Sequence, residues 1–447
     1  LLEEAVELDP DFAMAWRKIA VILNNNGLDP DRVRDAATRA FDLRRRLTAR
    51  EAGLAEAYFR ANVEDDQEGA ISAYYRLLDR YPDEWVAMNN AGVRLLRLGR
   101  YTEALEILSQ ACCDIPEAPQ NVFNNLIQAQ WNMGQREEAW ATLEELHVKK
   151  PEASTRFRIE ASLLAGERRW TEAYDVFDQD VALNPGSLVT QIRGVTDMAG
   201  SLLGNGRYAQ ALSVIERAKR TAEAERANGF YVTLPGSLRF DVAYALEGSE
   251  EAARNILEGI ERDIDLDSLS SRSGAWSNLM LSHALIGNAA RADEMFRTYE
   301  SDVPPEERGL QYRINSVSLE AFGAFGRKDY PAAASAFDVL GGEVLSCGSV
   351  CRDHALWGIA LETAGRMEEA VIQYEAHLSG GPLNWHARRT PWTPTVMERL
   401  DGLYAEQGDV ERAVEVLESL VAQYSDGDGP FLAYVNRAQR RLGELRE

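Results

Sequence analysis

The sequence predicts an all-α solenoid, a stack of helix-turn-helix units, and three observations carry that prediction. Small and large apolar residues recur three and four apart, the spacing of amphipathic helices. The pattern returns at a step of about 34 residues along the chain, a phase that a helical bundle with one core has no reason to keep. Glycine marks the middle of many units and proline the end of several, the two residues that turn and stop helices.

The chain opens on LLEEAVELDP, which reads as the second helix of a unit ending in its proline, with no first helix before it. Such a helix cannot bury its apolar face alone, so the expectation is that chain precedes Leu1. The next unit is irregular: Trp16 and Ala37 stand further apart than the step allows, and NNNGLDPDRV reads as an insertion at its turn. Residues 85–118 show the plan most clearly. Ala91-Gly92 centre a first helix, Gly99 turns the chain, Ala104, Leu108 and Ala111 line a second helix, and Pro116 closes the unit. Gly92 and Ala104 are expected to let the two helices approach, with Leu108 filling the space between units. Second helices of the same kind follow at Ala70/Tyr74/Leu77, Ala139/Leu143/Leu146, Ala173/Phe177, Ala211/Ile215/Ala218 and Ala253/Leu257/Ile260, and then at Ala292/Phe296/Tyr299, Ala333/Phe337/Leu340, Ala370/Tyr374 and Ala413/Leu417/Leu420. Terminal prolines stand at Pro82, Pro151, Pro185 and Pro304, and further mid-unit glycines at Gly206, Gly248, Gly287, Gly365 and Gly408. The fit weakens between about 222 and 272, where the loops lengthen. Residues 431–447 place Leu432, Val435, Ala438, Leu442 and Leu445 on one face of a last amphipathic helix. The organisation read from this is a continuous array over 1–430, about eleven repeats plus a leading half-repeat, closed by a capping helix over 431–447.

With these units the chain resembles the tetratricopeptide repeat family, whose members wind such hairpins into a right-handed superhelix with the first helices on the concave face. A narrower resemblance is to the C-terminal repeat region of bacterial eukaryotic-type serine/threonine protein kinases. It rests on AVELDPDFAMAW, on FDLRRRLTAREAGLAEAYF followed by DDQEGAISAYYRLLDRYPDEW, and on the closing ERLDGLYAEQGDVERAVEVLESL and the residues after it. This likeness implies a kinase domain, and in many such proteins a membrane helix, before Leu1. The chain itself shows no Gly-rich phosphate loop, catalytic Asp–Asn loop or Asp-Phe-Gly metal site.

Composition narrows the function classes. The 447 residues carry 48 Lys and Arg against 72 Asp and Glu, a net charge of −24. A broad basic face for duplex nucleic acid is not what such a chain builds, and no nucleic-acid partner is expected. No stretch approaches the length of a membrane span. The compartment stays open: cytoplasmic, or extracytoplasmic if a membrane helix precedes the chain. Four cysteines are too few for a disulfide framework. Cys112–Cys113 and Cys347/Cys351 lie several units apart and cannot share one zinc site in a solenoid, so no metal and no cofactor are expected, while a Cys347–Cys351 disulfide stays an alternative to two half-buried thiols. The five histidines form no pair at ligand spacing, and no arrangement for nucleophilic catalysis is readable. The expected activity is therefore non-catalytic binding of a protein or peptide, as the sensory or recruiting arm of a larger signalling protein. Alternatives are the tail of a kinase and, less favoured, a repeat array with its own small-ligand pocket.

Two candidate sites follow. Asn89-Asn90 and Asn124-Asn125 fall at the same place in successive first helices, and Asn278 repeats the second of them. An inward amide can donate and accept, so such a row can hold the backbone of an extended peptide, with Arg97, Gln128 and Trp131 as neighbours; the alternative is that the amides bond only between helices. The resemblance adds that family members use such rows with basic clamps for a terminal carboxylate, and the matching clamp positions here lack Lys or Arg. The second candidate is the loop LSGGPLNWHARRTPWTPT at 378–395, which breaks the period. Exposed, its Trp385, His386, Arg388, Arg389 and Trp392 would suit a partner surface; the alternative is that the tryptophans tuck back onto the last repeats as a plug.

Overall fold

The computed structural model describes residues 1–113, 118–151, 156–224, 229–341, 351–379, 383 and 386–446, with the backbone alone for 113, 229, 230, 268, 351, 352 and 386. Every regular element among them is helical. A short helix, α1 (Leu2–Leu8), leads. Helix pairs follow: α2 (Ala13–Asn25) with α3 (Pro30–Asp42), α4 (Ala49–Asn62) with α5 (Gln67–Arg80), α6 (Trp85–Arg97) with α7 (Tyr101–Cys113), and α8 (Gln120–Asn132) with α9 (Arg136–Lys149). The middle of the chain pairs α10 (Arg156–Gly166) with α11 (Trp170–Leu183), α12 (Val195–Gly204) with α13 (Tyr208–Ala224), α14 (Gly229–Asp241) with α15 (Glu250–Asp263), and α16 (Gly274–Leu285) with α17 (Ala289–Asp302). Next come α18 (Leu310–Gly326) with α19 (Tyr330–Val339) and α20 (Cys351–Thr363) with α21 (Met367–Leu378). After a four-residue helix, α22 (His386–Arg389), the last pair is α23 (Thr393–Glu406) with α24 (Val410–Tyr424), and α25 (Phe431–Arg446) ends the chain.

The unit works sterically as its sequence indicates. A Cβ placed on Gly92 would lie 2.5 Å from Cγ of Leu108, so only glycine lets α6 meet α7 there. The small second-helix positions Ala70, Ala104, Ala139, Ala173, Ala211, Ala253, Ala333, Ala370 and Ala413 are all fully buried. Gly99, Gly206, Gly248, Gly287, Gly365 and Gly408 each take positive φ at the turn between paired helices, a conformation that costs other residues free energy. Arg168 and Lys328 adopt the same conformation without being glycine.

First helices of neighbouring repeats touch one another, α6 on α8, α12 on α14, α14 on α16 and α16 on α18, which sets them on the tighter, inner side of the curve. The solenoid departs from an open spring because successive turns are in contact. Arg34 Nε donates to Glu307 at 2.9 Å, Asp65 accepts from the backbone N–H of Gln311, and Arg97 Nη2 donates to Gln311 Oε1 at 2.6 Å. Further on, Gln423 Nε2 donates to Gly204 O at 2.6 Å, and Asp428 Oδ1 accepts from the backbone N–H of Tyr208 at 2.6 Å, capping α13. One apolar cluster joins Met198, Leu202 and Val214 to Leu417, Tyr424 and Phe431. The core is therefore not confined to repeats adjacent in the chain: α12 and α13 share one with α24 and α25.

Candidate functional site: the inner face of the superhelix

The asparagine row lies on the first helices α6 and α8, and its amides are partly spent on one another. Asn125 Nδ2 donates to Asn89 Oδ1 at 2.9 Å, and Asn89 Nδ2 donates to Asn90 Oδ1 at 3.2 Å, linking α8 to α6. Asn90 also hydrogen-bonds Tyr74 on α5. Asn89 is buried, whereas Asn90, Asn124, Asn125 and Gln128 are half-buried. Trp131 is not a face residue. It is buried, its indole lies where a side chain on Gly166 would stand, and Arg136 covers its ring at 3.3 Å. Arg97 turns toward the seam between turns, beside Asp65 and Gln311. Burial pushes the Asp65 carboxyl up from its ordinary value in spite of Arg97.

The segment around α22 is buried inside the superhelix. Helix α22 packs on α10, α12, α14 and α20. Ala387 presses on Gly200 so closely that a Cβ there would fall 2.3 Å from its Cα. Arg388 Nε donates to Asp241 Oδ2 at 2.6 Å, with side chains only 8% and 0% exposed, and Arg388 Nη1 donates to Asn278 Oδ1 at 3.1 Å. Arg389 Nη1 donates to the carbonyl of His377 at 3.3 Å. Trp392 is buried with its ring 5.9 Å from that of Tyr244. Arg388, Arg389 and Trp392 therefore form no exposed partner surface: the segment tucks inward, because its break in the period lets it drop from the stack onto the inner faces of four first helices. Trp385 and the His386 side chain lie outside the described residues, as do Cys347 and the side chains of Cys351 and Cys113.

A third group of inward side chains was missed by the sequence reading. Arg17 on α2 and Arg94 on α6 both lie within electrostatic reach of Tyr58 on α4 and of Tyr74. Arg17 is 8% exposed, and neither its Nε nor that of Arg94 has a hydrogen-bond partner. Burial lowers the Arg17 guanidinium from its ordinary value, though an arginine keeps its proton. Glu84 and Glu51 are its nearest carboxylates, and both are engaged. Glu84 pairs with Arg50 and accepts from Val86 N–H at 3.2 Å, while Glu51 closes a capping box with Thr48. One signal was available: Asn90 and Arg94 are four apart on α6 and so share a face. Beside this group, a cavity of about 390 Å³ opens at the seam between turns, lined by Asn24, Arg34, Asp65, Arg97, Arg272 and Glu307, among others. Among the described residues, no group of three His, Cys, Asp or Glu is placed to hold a metal, and no helix is long and apolar enough to cross a membrane.

Two stretches of the chain, residues 65–122 and 403–427, match models of the tetratricopeptide repeat. Those two stretches are tetratricopeptide repeats. The comparison with curated proteins finds no match. Among solved structures, the chain is similar to the APC/C hetero-tetramer Cut9–Hcn1, at 13% identity and a TM-score of 0.31 over 98% of both chains. It is also similar to a human IFIT1 dimer with PPP-AAAA, at 14% identity and a TM-score of 0.42 over 84% of both chains. The helix pairs build a tetratricopeptide-type α-solenoid.

Proposed function

We propose that this chain is a non-catalytic scaffold that binds a protein or peptide along the inner face of its first helices. The observation that supports this most is Asn278. It belongs to the asparagine row, and it receives a hydrogen bond from a non-repeat segment of the chain that runs inside the superhelix. Its counterparts Asn90 and Asn125, at the same place in α6 and α8, are half-buried. In this reading residues 1–430 act as one array and 431–447 as its closing helix. The test is binding of extended peptides to the intact chain and to Asn90→Ala/Asn125→Ala. Weakened binding with an unchanged helical spectrum supports the row, and unaltered binding removes it. A finer reading makes the scaffold the recruiting arm of a larger signalling protein, with a serine/threonine kinase as the catalytic part. It rests on the sequence likenesses near residues 5–16, 41–85 and 398–447, and a full-length gene joining this chain to some other kind of domain would refute it.

A further inference from the structure

Successive turns meet at two seams, and the two are held by different chemistry. We infer that the first seam is a clasp: residues 1–80, which carry α1 to α5, open as a unit away from α16, α17 and α18, while the second seam, joining α12 and α13 to α24 and α25, stays shut. The clasp follows from contacts within this chain and does not depend on the scaffold reading. Only its use, as a side entrance for a partner, rests on that reading.

The first seam is polar. Arg34 on α3 pairs with Glu307, which also meets Arg272 Nη2 at 3.1 Å, and Arg272 Nε lies 3.7 Å from Asp31. Asp65 and Arg97 hold Gln311 at the start of α18, and Tyr231 Oη donates to the carbonyl of Asn26 at 3.4 Å. A Cβ on Gly309 would fall 2.4 Å from the carbonyl oxygen of Asp65, so even this close approach is backbone against backbone. Among the described residues, the apolar cluster of the first repeats runs from Val6 to Val63 and includes nothing from the later turn, whose own cluster, with Trp276, Tyr299 and Val303, begins at Phe240. Between them lies the cavity of about 390 Å³, to which the first repeats contribute Asn24, Val33 and Arg34 and the later turn Arg272, Val303 and Glu307.

The second seam is apolar. Met198, Leu202, Leu417 and Phe431 share one core across it, and the Phe431 ring lies 4.7 Å from that of Tyr424. Apolar burial adds up with area, whereas parting the first seam exposes little apolar surface and returns charged groups to water. Glu307 is buried between two guanidiniums, and the desolvation cost of such an arrangement can equal its Coulombic gain. Burial likewise pushes the Asp65 carboxyl up from its ordinary value, the mark of a charge held against its hydration. The polar seam is therefore the one that parts first, and parting it uncovers the cavity and the flanks of α3 and α18.

Two backbone N–H groups report on the seams separately. Gln311 and Ala209 are each the second residue of a helix, α18 and α13, where an N–H has no partner in its own helix. Gln311 N–H donates instead to Asp65 across the first seam, and Ala209 N–H to Asp428 Oδ2 at 3.2 Å across the second. Hydrogen exchange of the intact chain, taken relative to the intrinsic rate, is expected to show Gln311 protected at least about tenfold less than Ala209. Arg34→Glu sets a carboxylate against Glu307 and removes no bond of Gln311 or Asp65. It is expected to lower protection at Gln311 by about a further tenfold and to leave Ala209 and the interior of α3 unchanged. Phe431→Ala is expected to do the reverse, lowering protection at Ala209 and sparing Gln311. Equal protection of the two reporters in the native chain, no response of Gln311 to Arg34→Glu, or both reporters falling together in either variant overturns the clasp. Loss of protection inside α3 overturns it too, because the first repeats would then unfold rather than swing.

Discussion

Gly92 and Lys328 show how single residues are bound to the repeat from opposite directions. Gly92 sits where any side chain would collide with Leu108, so Gly92→Trp is expected to overpack the α6–α7 contact and cost about 3 kcal/mol or more. A fall in denaturation midpoint with early loss of protection in α6 and α7 checks it. Lys328 is exposed and holds a positive φ at a turn where most equivalent positions are glycine. Lys328→Gly is expected to stabilise by about 1 kcal/mol, read as a higher denaturation midpoint. Both positions could be interpreted from sequence once the period was known, since the phase says which residue must be small and which must turn. Arg17 could not. Its Nε is buried without a hydrogen-bond partner, and the sequence, rich in Glu and Asp, gives no sign of which carboxylates are already engaged.

At the level of elements, α22 follows the inward-tucked alternative for the loop that carries it, and not the exposed partner surface. The broken period at 378–395 was visible, and so were its arginines and tryptophans, but not the direction in which they point. Direction depends on Asp241, a buried carboxylate far away in sequence that only folding brings to Arg388. Arg388→Met is expected to cost about 3–5 kcal/mol by stranding that charge, whereas Arg388→Met with Asp241→Asn should recover most of the loss. Thermal denaturation of the single and double variants separates these outcomes. Helices α20 and α21 carry a pH-dependent contact. His354 bonds Gln373 at 2.8 Å and stacks on Trp357, and burial, with Arg389 nearby, pushes its imidazolium down from the usual 6.5. The folded state therefore holds fewer protons than the unfolded one just below that value, and stability is lost as the pH falls through it. Amide protection factors in α20–α21, taken relative to the intrinsic exchange rate, should fall between neutral and mildly acidic pH, and His354→Gln should flatten the response.

Across the whole molecule, the seam between turns changes what damage does. In a strictly linear stack a lesion in the last helix stays there. Here Phe431 stacks on Tyr424 and shares a core with Met198 and Leu202. Phe431→Ala is expected to cost about 3–5 kcal/mol and to raise amide exchange in α12 and α13 as well as in α24 and α25; a response confined to α24 and α25 would show that the seam is not energetically coupled. None of this was legible in the sequence, because a helix pair announces its own hairpin and its neighbour through local periodicity, while the seam is set by the rise and curvature accumulated over many repeats. Asp428, for example, caps α13 across a long stretch of chain, and nothing near either residue predicts it. The closure also fixes arithmetic. An open spring can gain or lose a repeat and remain the same spring, only longer or shorter. In this chain one repeat added between Asp65 and Gln311 would carry every later residue past its counterpart, like a zip fastened one tooth out of step, so the length of the array between seam partners is as constrained as any single side chain in it.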